Sequence, residues 1–284
     1  MRIRRDYLAI ITIILLIIAG VAGILSLNLE HSYEFVNQYG HSVQMYGYGI
    51  YAFDTYFQAP VSIGTDIFII LVLVPLFIYT YIIYMKKGDK VSQLKLISLY
   101  SVAFYYAASI VFGLTYNRLF LVYVALFTSS LFGMFRHTSN IKLTTTIKAT
   151  RGLKVFLVLS GIALIVAWLP DIIPTIIHGT TLPLIGVYTT CITYVLDMGI
   201  IAPLCFVCIY LLAKKNPLGM IVEAAILKLC ISVGILMFPQ TICLILSGCH
   251  LPIPVLITKS FSFILLGGFA LYFNRKMYLE LRAE

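Results

Sequence analysis

The residues of this sequence that could do chemistry are carboxylates and lysines set within or beside long apolar runs. Asp66 stands near the start of one run and Asp197 near the start of another. An ionisable side chain in a bilayer costs about 2.5–3.5 kcal/mol on insertion scales unless it meets a partner or water, so each needs a reason. The two runs also share one spacing from a Pro-Leu pair to a Lys pair, at Pro75-Leu76 with Lys86-Lys87 and at Pro203-Leu204 with Lys214-Lys215.

Two interpretations of these acids are open. Each aspartate caps the start of its helix, where a carboxylate meets free N–H groups and the positive end of the helix dipole. Alternatively, the acids and nearby tyrosines wall a polar pocket open to the outside, with Lys228 and Gln240 at its floor. Asp171 lies between Pro170 and Pro174, where we expect a helix to bend or end.

The remaining reactive residues give weaker signals. Lys228 and Lys259 are interpreted as structural ion-pair partners rather than Schiff-base lysines. The CxxC of Cys205 and Cys208 lies in an apolar run and is interpreted as packing. The sequence contains no nucleophile elbow, HExxH motif or phosphate loop, and we predict no catalytic residue, metal site or cofactor. Cys191, Cys243 and Cys249 fall near the outer membrane face, where an oxidising compartment would allow one disulfide, and the sequence does not choose between a disulfide and free thiols.

The composition places these residues in an apolar solvent. The 284 residues are 61% hydrophobic and 11% charged, with a mean hydropathy of +1.00. A soluble domain usually has about 25% charged residues. The net charge of +9 lies in short connections between apolar runs, which argues for a membrane topology signal and against nucleic acid as a partner.

Eight runs are long enough to span a bilayer, so we predict an all-α, polytopic integral membrane bundle of eight transmembrane helices. All but three of the 20 Lys and Arg residues fall on one side of it. The positive-inside rule therefore puts both termini in the cytoplasm and the protein in the cytoplasmic (plasma) membrane. The predicted runs are 7–27, 65–85, 92–114, 118–135, 155–177, 194–213, 218–247 and 254–273.

The chain is predicted to form one transmembrane domain over residues 1–284. The external loop 28–64 is rich in Tyr and is expected to fold against the outer face of the membrane. The cytoplasmic loop 136–154 joins the fourth and fifth predicted helices and lies at the midpoint of the chain. If the shared spacing from Pro-Leu to Lys-Lys in the second and sixth runs reflects a duplication, it predicts a 4+4 parallel repeat of halves 1–135 and 150–284. Chance is the open alternative, since both dipeptides are common and the acids are out of register.

Several segments resemble a widespread family of bacterial and archaeal multi-pass membrane proteins of about eight helices, whose function is uncharacterised. The resemblance covers residues 49–230 and rests on GIYAFD, GTD with VPL, YNRLFLVYVALF, and LDMGIIAPL followed by KKNPLG. It implies an architecture and recurring polar positions but no activity. Leu218 departs from the aromatic residue that the family tends to have there. The matching polar positions are Tyr51, Asp54, Asp66, Asn117, Tyr123, Asp197 and Lys228.

The function that we predict is binding or transport of a small solute through this outward-facing pocket. An excess of outer carboxylates with tyrosines suits a small organic cation or a proton-coupled solute. Two alternatives are open. An intramembrane enzyme acting on a lipid or lipid-linked substrate predicts paired catalytic groups within about 3 Å. A non-transporting sensor or assembly partner predicts a packed bundle in which the acids serve only as caps.

Overall fold

The helices of the computed structural model follow the apolar runs of the sequence. The structure describes residues 6–28, 30–143, 149–182, 184–248 and 253–282, without the side chains of 253–260. It is 76% helical. The helices are α1 Tyr7–Ile24, α2 Gln58–Lys87, α3 Lys90–Gly113, α4 Phe120–Asn140, α5 Arg151–His178, α6 Ile192–Ala213, α7 Pro217–Leu246 and α8 Ile253–Arg282.

Seven of these helices, α1 to α7, are long and apolar enough to cross a membrane, within the part of the chain that the structure describes. The all-α class is therefore confirmed, and these seven helices have the length and hydropathy of membrane spans. An eighth span in α8, the cytoplasmic termini and the repeat stay predictions. Of the three cysteines that could form a disulfide, Cys249 lies outside the described residues, and Cys191 and Cys243 are free thiols.

The predicted external loop is folded, but it is shorter than expected. Strands β1 (Tyr33–Val36) and β2 (Ser42–Met45) form an antiparallel hairpin, and a 3₁₀ turn at Gly49–Tyr51 follows. Helix α2 then begins at Gln58, so the predicted loop boundary at residue 64 is wrong. Pro60 and Gly64 suggest a loop, yet Gly64 lies directly against the α7 backbone, where any Cβ would overlap Gln240. Tertiary packing therefore overrides the low helix propensity.

Helices α3 and α7 form the centre of the bundle. They pack against each other, α3 also contacts α2, α4 and α6, and α7 also contacts α2, α6 and α8. Helix α3 is the most buried of the spans. Its polar residues therefore face other helices, which gives the side chains of α3 a large share in any internal site.

Three of the helices are irregular next to a proline. Helix α2 has a π-helical turn at Ile69–Leu73, which ends two residues before Pro75, and α6 has one at Asp197–Ile201, which ends two residues before Pro203. Proline has no N–H to donate to the preceding turn, which favours such irregularities. Helix α5 breaks at residues 167 and 168, just before Pro170, close to the predicted bend.

Candidate functional site

Asp66 is the most enclosed carboxylate of the predicted site. Its side chain is 0% exposed, and each of its oxygens accepts one tyrosine hydroxyl. Tyr51 Oη donates to Oδ2 at 2.5 Å, and Tyr106 Oη of α3 donates to Oδ1 at 2.6 Å. The approach of α1 depends on Gly23, because any Cβ there would overlap the Asp66 carboxylate. The carboxylate is thus held by two short hydrogen bonds, and α1 approaches it closely because position 23 has no Cβ.

Asp197 is held in a similar way by a different set of donors. Tyr105 Oη of α3 donates to Asp197 Oδ1 at 2.9 Å, and Trp168 Nε1 donates to Oδ2 at 3.2 Å. The Trp168 ring stacks on Tyr194 with centroids 4.5 Å apart. The Tyr194 hydroxyl in turn donates to Asp171 at 2.9 Å. The break in α5 therefore places its Trp against the π-helical turn of α6.

Neither aspartate caps the start of its helix, so the capping interpretation is wrong for both. Helix α2 begins at Gln58, about two turns before Asp66, and α6 begins at Ile192. Both acids lie inside helices that are long and apolar enough to span a membrane, and both accept hydrogen bonds from side chains of other elements. The reason is the extra helical length before each acid, which packing rather than local sequence stabilises.

A tyrosine pair on α3 connects the two aspartates. Tyr105 and Tyr106 are neighbours in the chain, and neighbours in an α-helix project about 100° apart. One side chain therefore reaches α6 and the other reaches α2. The sequence interpretation missed both tyrosines, although a Tyr pair within an apolar run is a visible signal. We call Asp66, Asp197, Tyr51, Tyr105, Tyr106 and Trp168 the aspartate network.

Tyr123 and Asn117 lie beside the network. Tyr123 of α4 is buried and close enough to Asp66 to interact with it electrostatically. Asn117 Nδ2 donates to Tyr123 Oη at 3.5 Å, and its Oδ1 accepts from the Leu119 N–H. The structure therefore brings four predicted residues together, namely Tyr51, Asp66, Asn117 and Tyr123.

Lys228 takes no part in this arrangement. It is half-buried on α7, and no hydrogen bond or ion pair joins it to another of the residues that the structure describes. The expected structural ion pair of Lys228 is thus not seen there. Gln240, predicted beside it, instead donates to Thr65 Oγ1 at 2.7 Å and ties α7 to α2.

Asp54 links three connecting segments by hydrogen bonds at the end of the bundle that carries the β1–β2 hairpin. It is fully buried, and its Oδ1 accepts from the Thr115 N–H at 3.0 Å and from Tyr188 Oη at 2.9 Å. Its Oδ2 has no partner among the described residues. Burial raises the pKa of Asp54 to about 6, against the opposite effect of the hydrogen bonds from Thr115 and Tyr188. The carboxyl therefore joins three loops most favourably when it is neutral.

We expect Asp54→Asn to become increasingly stabilising, relative to the wild type, as the pH rises from about 4 to 7. A carboxyl whose pKa is raised in the folded state stabilises the fold fully below its unfolded pKa of 3.8 and loses that contribution as the pH rises through about 6. Over this pH range the free energy of unfolding of the wild type should fall, relative to that of Asp54→Asn, by roughly 3 kcal/mol, which corresponds to about two pKa units. Thermal unfolding of both proteins in detergent across this range measures it. A stability difference between the two proteins that stays constant with pH would contradict the raised pKa of Asp54.

Asp6, which the sequence interpretation overlooked, organises the opposite end of the bundle. It caps α1 by accepting from the Ala9 N–H, and it contacts His137 Nε2 at 2.6 Å and Arg136 Nη1 at 3.2 Å. Tyr100 Oη donates to it at 3.3 Å. Burial raises the pKa of Asp6, but the hydrogen bond and charge of His137, with Arg136, outweigh burial and hold the pKa below its usual value. This cluster joins α1, α3 and α4.

Neither a metal-type cluster nor a similar protein identifies the function of the site. Within the described residues, no three His, Cys, Asp or Glu side chains are grouped so as to hold a metal ion. The resemblance to a family of multi-pass membrane proteins stays a prediction. No protein family, no curated protein and no solved structure matches this chain.

Proposed function

We propose that this chain is a small-solute binding or transport protein of the cytoplasmic membrane, with its site at the aspartate network. The observation that carries the proposal is the pair of aspartates buried inside two apolar helices and linked through neighbouring tyrosines of α3. Intramembrane carboxylates are costly and mark substrate, ion or proton pathways more often than other positions do. The sensor or assembly alternative predicted that the acids serve only as caps, and neither acid lies at the start of its helix.

The local helix geometry supports the same function. Each aspartate lies at, or less than one turn before, a π-helical turn that is followed by proline. Such turns are frequent at functional sites, and transporters use interrupted helices around their substrate sites. At such a turn the regular α-helical pattern of backbone hydrogen bonds is already interrupted. We therefore expect α2 and α6 to be the moving elements.

The chemistry of the network favours a small organic cation or a proton-coupled solute. The described donors to both carboxylates are neutral hydroxyl and indole groups, so no described cation neutralises either acid. A protonated amine could exchange with these donors, and the rings of Trp168 and Tyr194 would favour a cation at their faces. Protonation of one aspartate is the alternative way to remove the charge.

The proposed topology has eight spans with both termini in the cytoplasm. Its support is the charge asymmetry of the connections and the helical backbone of α8. A 4+4 repeat is part of the proposal. The π-helical turn, the Pro-Leu pair and the Lys pair follow one another at the same spacing in α2 and α6. In addition, α3 contacts α6, and α7 contacts α2. In a 4+4 repeat α2 is equivalent to α6 and α3 to α7, so these two contacts are equivalent to each other.

An intramembrane enzyme is the second candidate. This function predicts two catalytic groups within about 3 Å of each other. Tyr51 Oη and Asp66 Oδ2, which are 2.5 Å apart, form such a pair. A tyrosine bound to a carboxylate could move a proton to or from a lipid-linked substrate. This candidate requires turnover, whereas solute binding does not.

Ligand-dependent thermal stability of the purified protein in nanodiscs tests the leading proposal. A ligand that binds only the folded state stabilises it by about 2.7 kcal/mol at 100 times its dissociation constant. We expect one or more members of a series of amines and amino acids to raise the melting temperature of the wild type and not that of Asp66→Asn with Asp197→Asn.

The matched control is Glu34→Gln, which removes a carboxylate charge from the exposed hairpin at the same end of the molecule. It should respond to ligand as the wild type does. Equal shifts in the wild type and the double variant would show that the aspartates do not form the binding site. The absence of any shift across the series would count against solute binding altogether.

A further inference from the structure

Three helices meet at the end of the bundle that carries most of the lysines and arginines. The starts of α3 and α7 and the last turns of α8 form one buried apolar cluster there, to which Leu94, Ala224 and Tyr278 contribute. Four cationic side chains lie on these helices or at the adjoining end of α2. We call these four residues, which are Lys87, Lys95, Lys228 and Arg282, the basic cluster.

The half-buried side chain of Lys95 lies at the centre of the basic cluster. Its Nζ stands over the Tyr278 ring of α8, 5.1 Å from the ring centroid. Arg282 is one turn beyond Tyr278 on the same face of α8. The charges of Lys87 and Arg282 are close enough to repel that of Lys95. Lys228 of α7 is repelled by Lys95 in the same way. Four helices therefore bring four positive charges together.

The described carboxylates do not neutralise this charge. Asp89 is near enough to attract Lys87 and Lys95, but it is exposed, and its Oδ1 accepts the Ser92 N–H as the cap of α3. No ion pair joins a member of the basic cluster to an acid within the part of the chain that the structure describes. One nearby carboxylate against four cations leaves a positive potential between the helix ends, which favours a bound anion.

The surroundings of the basic cluster decide which anion fits it. An anion can reach the cluster, because Lys87 and Arg282 are exposed. Further along α7, Ile235 and Ile242 follow Lys228 at intervals of seven residues, so all three lie on one face of the helix. The two isoleucines are 39% and 56% exposed, as expected of a surface that contacts acyl chains. Cations next to an exposed apolar helix face fit an anion that carries its own acyl chains.

We propose that the basic cluster binds the phosphate of an anionic phospholipid of the inner leaflet. Lys95 and Arg282 donate N–H groups to the phosphate oxygens, and Lys228 adds positive charge from deeper in the bundle. The acyl chains lie along the exposed apolar face of α7. By the charge asymmetry of the connections this end faces the cytoplasm, where anionic lipids are enriched and basic sites between spanning helices bind their head groups. The site shares no residue with the aspartate network.

Native mass spectrometry of the full-length protein in a neutral detergent, titrated with dioctanoyl phosphatidylglycerol, tests this site by counting bound lipids. We expect Lys95→Gln with Lys228→Gln to weaken the first binding step at least about tenfold, since each cation contributes about fivefold. Phosphatidylcholine with the same chains, which has no net charge, should bind the wild type more weakly by a similar factor. Inorganic phosphate at the same concentration should not displace the lipid.

The matched control is Lys214→Gln with Lys215→Gln. It removes two cations from the same end of the molecule, and Lys214 Nζ also lies over a tyrosine ring, 6.0 Å from the centroid of Tyr210. Neither lysine belongs to the basic cluster. This variant should therefore bind phosphatidylglycerol as the wild type does.

The proposal is wrong if the wild type binds no phosphatidylglycerol, if phosphatidylcholine binds equally well, or if the two double variants bind phosphatidylglycerol with equal affinity. Displacement of the lipid by inorganic phosphate would overturn it too, because the cluster would then be a site for free phosphate. If the variant of Lys95 and Lys228 does not purify in a folded state, Arg282→Gln decides the matter, since its side chain is exposed. Binding weakened about fivefold in that variant supports the basic cluster, and unchanged binding overturns it.

Discussion

Replacing Asp66 by alanine is expected to destabilise the protein by about 2–6 kcal/mol. The change leaves the hydroxyls of Tyr51 and Tyr106 buried without their acceptor, and each unsatisfied group costs about 1–3 kcal/mol. Asp66→Asn should cost less, because the amide oxygen still accepts one hydroxyl. Thermal unfolding in detergent or nanodiscs, followed by tryptophan fluorescence or circular dichroism, measures the difference.

A double-mutant cycle separates the orphaned hydroxyls from other effects of the substitution. In a background of Tyr51→Phe with Tyr106→Phe, Asp66→Ala should cost much less, since no hydroxyl is left to lose its acceptor. It could even be stabilising there, because a buried carboxylate without donors is removed. If the costs of the three substitutions simply add, the hydrogen bonds seen in the structure do not determine the stability of this region.

The second large effect is expected for Asp6→Ala, at about 3–5 kcal/mol near neutral pH. Removing Asp6 leaves the buried Nε2 of His137, whose side chain is 4% exposed, without its partner, and each buried polar group left unsatisfied costs about 1–3 kcal/mol. Arg136 contributes little, because its side chain is 39% exposed and screened by solvent. Tyr100 also loses an acceptor. The substitution should therefore loosen the contact of α1 with α3 and α4.

The pH dependence of this effect has a defined sign. The pKa of Asp6 is held below its usual value in the folded state, so its contribution is fully present above the unfolded pKa of 3.8 and is lost as the pH falls through the folded pKa. The wild type and Asp6→Ala should thus converge in melting temperature in acid. This trend is the opposite of the one expected for Asp54.

Asp89→Ala is the matched control for Asp6→Ala. Asp89 caps α3 as Asp6 caps α1, with its side chain accepting the Ser92 N–H at 2.7 Å, but it is exposed and forms no buried cluster. Loss of a cap alone costs about 1 kcal/mol. Equal losses of stability in the two variants would show that Asp6 stabilises the protein only as a helix cap, and that its contacts with His137 contribute nothing.

Local pattern accounts for most of the helices and for few of the contacts at the site. Apolar run length predicted eight helices, and each has a counterpart among the described helices, because a bilayer-spanning segment must satisfy its backbone internally. The boundary of α2 was wrong by seven residues, since burial of Ala59 and Ile63 against neighbouring helices extends it. The same extension moves Asp66 from the start of a helix to its interior.

The sequence by itself determined that this protein is a helical bundle with acids, prolines and lysine pairs at fixed places along two spans. Those features depend on residues close together in the chain, where hydropathy and spacing carry the information. Only the tertiary structure decided which donors each acid meets. Tyr106 reaches Asp66 and Tyr105 reaches Asp197 because α3 lies between α2 and α6. Which helices become neighbours depends on packing across the whole bundle, and no spacing within one run records it.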